Sequence, residues 1–188
     1  MADTGAISPG TMVDDAAVGT LTWSNYNNAK SSDDAYATAV GKNNAVSHYL
    51  KASNFGFTIP AGATIDGIKV QIERHMGGGA SAIDDRVSIV KADGSVGTTN
   101  YKSATAWGFT TNIYFDYGGI TDLWGEEWDA ASINDADFGV VLSTKHTHPV
   151  SISTAYVDHI RITVYYTEAA GGISIPVVQY YYNRLRRN

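Results

Sequence analysis

The chain has 188 residues, a net charge of −6 and no cysteine. That length fits one domain of ordinary size with a short appendage, and the lack of thiols excludes disulfides, zinc–thiolate sites and thiol nucleophiles. Charged residues make up 17% of the chain, below the usual share of about a quarter, so Thr, Ser, Asn, Gly and Tyr must cover much of the surface, as in β-rich extracellular and virion proteins. Arg184, Arg186 and Arg187 lie in the last five residues, and setting their +3 aside from the −6 leaves −9 for the rest. An acidic body without clustered Lys and Arg is not expected to bind nucleic acid. Met1–Gly5 has neither the basic nor the apolar stretch of a secretory signal, and no segment reaches the length of a membrane span. A soluble protein made in a cytoplasm, with no membrane partner, is expected.

Residues 1–20 are small and polar, with a turn at Ser8-Pro9-Gly10, and read as an extended N-terminal arm. A β-sandwich domain is expected over 21–168 and a C-terminal arm over 169–188. Short strands are predicted at Ser47–Ala52 and Phe55–Ile59. Pro60-Ala61-Gly62-Ala63 then turns into Thr64–Arg74, where Ile68, Val70 and Ile72 face one side and Lys69, Gln71 and Glu73 the other. Gly77-Gly78-Gly79 ends that strand. Asp85–Val90 places Val87 and Ile89 inward, and Ala92-Asp93-Gly94-Ser95 is a hairpin signal. Asn112–Tyr117 is a further strand. Asp137–Thr144 sets Phe138, Val140 and Leu142 against Val141, and Tyr156–Thr167 sets Ile160, Ile162, Val164 and Tyr166 against His159, Arg161, Thr163 and Tyr165. Ser31–Val40 and Trp124–Ile133 each have room for one helical turn, the second with Asp122 as N-cap. Many short strands separated by turns predict an all-β, antiparallel, jelly-roll-like sandwich with extended arms at both ends. Its inward set also includes Leu50 and Phe57.

Each motif that suggests chemistry also has a plainer reading. His146-Thr147-His148 puts two imidazoles on one face of an extended segment, as a metal pair needs, but no third ligand follows at a fixed spacing, so a polar loop is expected. Asp84-Asp85 beside Arg86 lacks the spaced oxygens of a calcium loop and reads as a solvated turn with a local ion pair. Asp158 shares the parity of Ile160 and Ile162, so it is expected to point inward, held by backbone amides or by Arg74 or Arg86. Glu126 and Glu127, between Trp124 and Trp128, are adjacent carboxylates, which point apart on a strand and make a poor glycosidase pair. Ser143 and Ser151 have histidines nearby in sequence but no nucleophile-elbow motif. Neither Gly77-Gly78-Gly79 nor Tyr117-Gly118-Gly119 has the strand–glycine–helix context of a phosphate loop. Trp23, Trp107, Trp124 and Trp128, with twelve tyrosines, either stack on sugar rings or plug the sandwich core and line oligomer contacts. No enzyme activity, cofactor or metal is expected.

After the break at Ala169-Ala170-Gly171-Gly172, Ile173, Ile175, Val177, Val178, Tyr180, Tyr181 and Tyr182 carry more apolar surface than a solvated tail tolerates. Arg184, Arg186 and Arg187 add positive charge that an acidic neighbour can receive. These residues are predicted to bind a partner, although a final strand folding back on its own sheet fits the same pattern.

An ordered set of motifs carries a resemblance. It runs from Trp23-Ser24-Asn25 through Tyr49–Ile68, which holds Phe57-Thr58-Ile59-Pro60-Ala61-Gly62-Ala63-Thr64-Ile65-Asp66-Gly67-Ile68, to Tyr117-Gly118-Gly119, Leu123-Trp124-Gly125, Phe138-Gly139-Val140 and Val157–Tyr166. Over residues 20–168 the set resembles β-sandwich virion proteins of tailed phages and prophages, of the capsid-decoration and virion-surface kind. The resemblance implies no catalytic residues. It implies a virion structural protein on the capsid surface, decorating or cementing it, whose partners are itself, as a homo-oligomer with a trimer among the options, and a major capsid protein. The alternative is a carbohydrate-binding domain of a phage tail or cell-surface protein used in host attachment, with a glycan as partner.

Overall fold

A computed structural model describes residues 1–77, 81–109 and 112–169. Its strands are β1 (Ala2–Asp3), β2 (Thr11–Asp15), β3 (Ala37–Gly41), β4 (Tyr49–Ser53), β5 (Thr64–Gly77), β6 (Ala82–Val90), β7 (Ile113–Gly118), β8 (Gly139–His146) and β9 (Ser153–Thr167). Among the described residues, helix is confined to one short α-helix, α1 (Ala130–Asn134), and a 3-10 turn at Tyr26–Ala29. The strands form two sheets, ordered β1-β9-β5-β7 with β3 also on β9, and β2-β4-β8-β6. All of these pairings are antiparallel. The chain is therefore an all-β antiparallel sandwich.

Alternation along the strands builds the core, because successive side chains leave opposite faces. Leu50, Phe57, Ile68, Val70, Ile72, Val87, Ile89, Phe138, Val140, Leu142, Ile160, Ile162 and Val164 are all buried in one cluster between the sheets. Trp23, Trp107 and Trp124 join them. Each indole N–H is satisfied, donating to His48 O, Asp84 Oδ1 and Ile68 O at 2.9, 2.8 and 2.9 Å. Gly67 has to be glycine, since a Cβ there would lie 2.4 Å from the backbone of Gly119 and Ile120, which cross it.

Several boundaries differ from the sequence reading. The first fifteen residues do run extended, but as strands of the domain rather than a free arm: β1 pairs with Tyr165 and Tyr166, and β2 pairs along the whole of β4. Ser31–Val40, with room for one helical turn, instead leads into β3 at Ala37, where Ala37 and Ala39 are buried against β9. The cap of α1 is Asp129, whose carboxylate accepts from Ser132 N at 2.7 Å, and not Asp122. Phe55, Phe57 and Ile59 alternate like a strand and are buried, yet the segment joins no sheet. The Asn134 amide instead accepts from Ile59 N and donates to Ile59 O, at 2.8 and 2.9 Å. Ala92–Ser95 is a tight turn closed by a single bridge, Val90 to Val96. Residues 173–188 lie outside the described residues.

Asp84 is not in a solvated turn. It lies within β6 at 1% exposure, facing Arg74 of β5, also at 1%. Arg74 Nη2 is 3.4 Å from Asp84 Oδ1. Tyr117 Oη accepts from Arg74 Nε and Nη2 at 3.1 and 3.0 Å and donates to Asp84 Oδ2 at 2.9 Å. Trp107 Nε1 and Ser103 N complete the acceptor shell of the carboxylate at 2.8 and 3.0 Å. The guanidinium carbon lies 3.8 Å from the Phe115 ring centroid and 4.3 Å from that of Trp107. One buried pair thus joins the two sheets and ties down the loop between β6 and β7. Asp84→Ala should cost about 3–5 kcal/mol in urea unfolding, because it strands a buried guanidinium. A loss below about 1 kcal/mol would show that Arg74 reaches water.

Candidate functional site

The outer faces of the two sheets differ. On the four-stranded sheet, Tyr49, Val90 and Val141 form a small apolar cluster beneath Val18 and Val96, from the chain's own loops. Residues 97–101 pin the flank of β6: Gly97 N donates to Ile89 O, Tyr101 N to Val87 O, and Arg86 Nη2 to Gly97 O at 2.8 Å. Those loops cover the middle of that face, while Val13 at its β2 edge remains 41% exposed. The outer face of the other sheet carries Lys69, Gln71, Glu73 and His75 on β5, Tyr114 and Asp116 on β7, and Tyr156, His159, Arg161, Thr163 and Tyr165 on β9.

A β-bulge arranges this face. Ala155 and Val157 face the core, and so do Ile160, Ile162 and Val164. The parity changes because Glu73 pairs with His159 while Arg74 pairs with Val157. Asp158 is the additional residue, and both it and His159 turn outward. The core-side position expected for Asp158 is thereby corrected, although the residue is buried, at 1% exposure, as a carboxylate held by amides was expected to be. Its carboxylate is held by backbone amides, Asp33 N and Asp34 N at 3.3 Å each, and by Asn112 Nδ2 at 2.6 Å. Among the described residues, no arginine takes part.

Two clusters meet on the face. Toward the β7 side, Gln71 Nε2 donates to Asp116 Oδ1 at 2.7 Å, and Gln71 Oε1 accepts from Arg161 Nε at 2.9 Å. The Arg161 guanidinium carbon sits 3.8 Å from the Tyr114 ring centroid. Tyr114 Oη shares a 2.8 Å hydrogen bond with His159 Nδ1, and His159 Nε2 shares another of 2.8 Å with Ser8 Oγ. On the β3 side, His75 stacks on Tyr156 at 4.8 Å, with Tyr36 edge-on to both. Glu73 stands between the clusters. It is only 8% exposed although it faces outward, and its Oε2 has no hydrogen-bond partner among the described residues.

The electrostatics follow from this packing. Burial, then Asp34, Asp158 and Glu73, push the Tyr36 phenol up to about 12. Burial, with Arg161 adding to it, draws the His159 imidazole below its ordinary range against the opposing pull of Glu73, Asp158 and Asp33. Burial alone lowers His146.

The residues singled out from sequence do not converge. His146 is fully buried, with Nδ1 2.7 Å from Ser153 Oγ, whereas His148 Nδ1 accepts from Ser151 N at 2.8 Å in a surface turn. Ser143 Oγ donates to Asp85 at 3.3 Å. Glu127 lines a shallow trough of about 400 Å³ with Trp128, Asp129 and Ser132. The Trp128 ring packs edge-on to Phe138, and Nε1 is tied to Leu123 O at 2.9 Å. With the other three tryptophans in the core, no tryptophan platform exists. The predicted partner-binding residues, Ile173 to Arg187, lie outside the described residues. Sequence alternation identified the outward polar rows of β5 and β9 but not that Glu73, His159 and Thr163 are 8%, 7% and 6% exposed. Nor did it bring Ser8 to His159.

No protein-family model and no curated protein matches the chain. A solved structure described as "CBM4 structure and function" aligns over 84% of this chain and 93% of its own, with 11% identity and a TM-score of 0.38. A superposition that loose decides nothing about this chain.

Acid should destabilise the fold through its buried imidazoles. An unfolded histidine titrates near ~6.5, while His146 and His159 titrate lower when folded. The unfolded chain therefore binds more protons in the interval between the two values. Their stabilising contribution is full above ~6.5 and is lost as pH falls from there through the folded values. The urea midpoint should drop between pH 7 and 5, and His146→Gln should flatten part of that slope; an unchanged slope in the variant would remove His146 as a source and leave His159 and the carboxylates.

Proposed function

We propose that the protein binds carbohydrate, without chemistry, on the outer face of the five-stranded sheet. The observation that carries this is the row Asp116–Gln71–Arg161. It runs across β7, β5 and β9 through hydrogen bonds of 2.7 and 2.9 Å. Amide, carboxylate and guanidinium groups locked on a rigid sheet present fixed donors and acceptors to a ring of hydroxyls, and their order before binding lowers the entropy lost on binding. On the opposite sheet, Val18 and Val96 cover the central Tyr49, Val90 and Val141. The resemblance to phage virion proteins supports a virion surface as the setting, with host attachment as the use.

A glycan array followed by affinity electrophoresis in the selected polysaccharide tests the reading. Gln71→Ala and Arg161→Ala should each weaken retention at least tenfold, and Trp128→Ala should leave it unchanged. Retention lost only in the Trp128 variant would move the site to the trough beside α1. An array without hits would reject carbohydrate.

The apolar, basic sequence of residues 173–188 favours a second reading, capsid decoration through oligomer contacts. Truncation after Gly171 should then leave the melting temperature similar but abolish self-association or particle binding. A truncated chain that melts far lower, with a full-length chain monomeric at every concentration, would reject it.

A further inference from the structure

We propose that the outer-face step at Glu73 is a subsite for a protonated amine, the ammonium group of an amino sugar within the bound glycan; this rests on the carbohydrate reading above. Three buried polar atoms there lack partners among the described residues: Glu73 Oε2, Asn112 Oδ1 and His75 Nδ1. Register brings them together. Glu73 pairs with Tyr114, and Arg74 pairs with Ile113, which places Asn112 level with His75 at the head of β7. The 2.6 Å bond from Asn112 Nδ2 to the Asp158 carboxylate fixes the amide, because a carboxylate needs the NH₂ group, so Oδ1 is left as an acceptor. Glu73 Oε2 is an acceptor by its chemistry. His75 Nδ1 donates or accepts according to its tautomer, so the two groups of fixed character are both acceptors.

Among the described residues the site lacks positive charge. Asp33, Asp34 and Asp158 surround the step, and none of them forms an ion pair among the described residues, where the only pairs are His48–Asp14 and Arg74–Asp84. The Tyr36 phenol, raised first by burial, is raised further by Asp34, Asp158 and Glu73. Arg161 is turned away, engaged with Gln71 and the Tyr114 ring. A metal ion would supply charge, but among the described residues no group of three or more His, Asp or Glu side chains is placed to hold one. An ammonium group suits the wider spacing: it brings charge together with three N–H donors. The ring hydroxyls of the same sugar would then lie toward the Asp116–Gln71–Arg161 row. N-acetylation would remove the charge and leave a single donor.

Titration calorimetry with glucosamine, N-acetylglucosamine and glucose oligomers of equal length, on the full chain, tests the subsite. The glucosamine oligomer should bind at least tenfold more tightly than the other two, and Glu73→Gln should erase that preference while the glucose oligomer binds as before. Circular dichroism and the melting temperature check that the variant folds. Equal binding of the three oligomers, or a preference that survives Glu73→Gln, overturns the ammonium subsite and leaves the carbohydrate reading in place. No binding of any oligomer, together with an array without hits, overturns both.

Discussion

The pairing of β5 with β9 is the constraint on which the rest of the molecule depends. It runs from Thr64 opposite Thr167 to Gly77 opposite Thr154, with interruptions at Ile65/Gly67 and at Glu73/Arg74. A one-residue slip in a strand exchanges its two faces, and each interruption makes such an exchange once, at a fixed place. The first brings Ile65 and then Ile68 to the core. The second lets Val157 and Ile160 both face inward, and turns Asp158 and His159 out together. Without it, the half of β9 beyond the bulge would present its polar side to the core.

The same bulge explains why the outer face is more than a solvated surface. Asp158 draws in the amides of Asp33 and Asp34, so the loop before β3 folds over the sheet, and Asn112 reaches the same carboxylate from the β7 side. His159 anchors Ser8 and Tyr114. Loop, amino-terminal segment and edge strand thereby surround Glu73 from three sides. A separate polar group lies in the interior. The Arg74–Asp84 pair is supplied with hydrogen bonds from Tyr117, Trp107 and Ser103, which offset the loss of water around both charges.

The fold class and most of the core were legible because strand alternation is local: the pattern Ile68, Val70, Ile72 needs no knowledge of neighbours. Non-local partners were not legible. Phe55–Ile59 has the right alternation, but the Asn134 amide, far along the chain, takes the place of a neighbouring strand. Asp158 was placed inward because parity was counted through a bulge that only pairing with β5 reveals. Residues 11–15 looked like an arm because Thr-Met-Val-Asp-Asp shows one buried position, Met12, and an edge strand needs little more. The outer face shared this obscurity. Its residues were visible as polar positions, while their mutual bonding depends on register across three strands.

The far edge of β9 is not closed by one strand. Ala37–Gly41 pairs with its first residues, Lys30 bridges to His159, Ile7 to Ile162, and Ala2–Asp3 pairs with Tyr165 and Tyr166. Four separate stretches from the first quarter of the chain therefore wait for a strand near its end. During synthesis, the amino-terminal segments leave the ribosome with their pairing edges open until residue 167 follows. A topology so dominated by distant contacts folds slowly for its size and exposes unpaired strands meanwhile. The interval between translation of β3 and release of β9 is when the nascent chain is most open to misassociation, and chaperone demand should be greatest there.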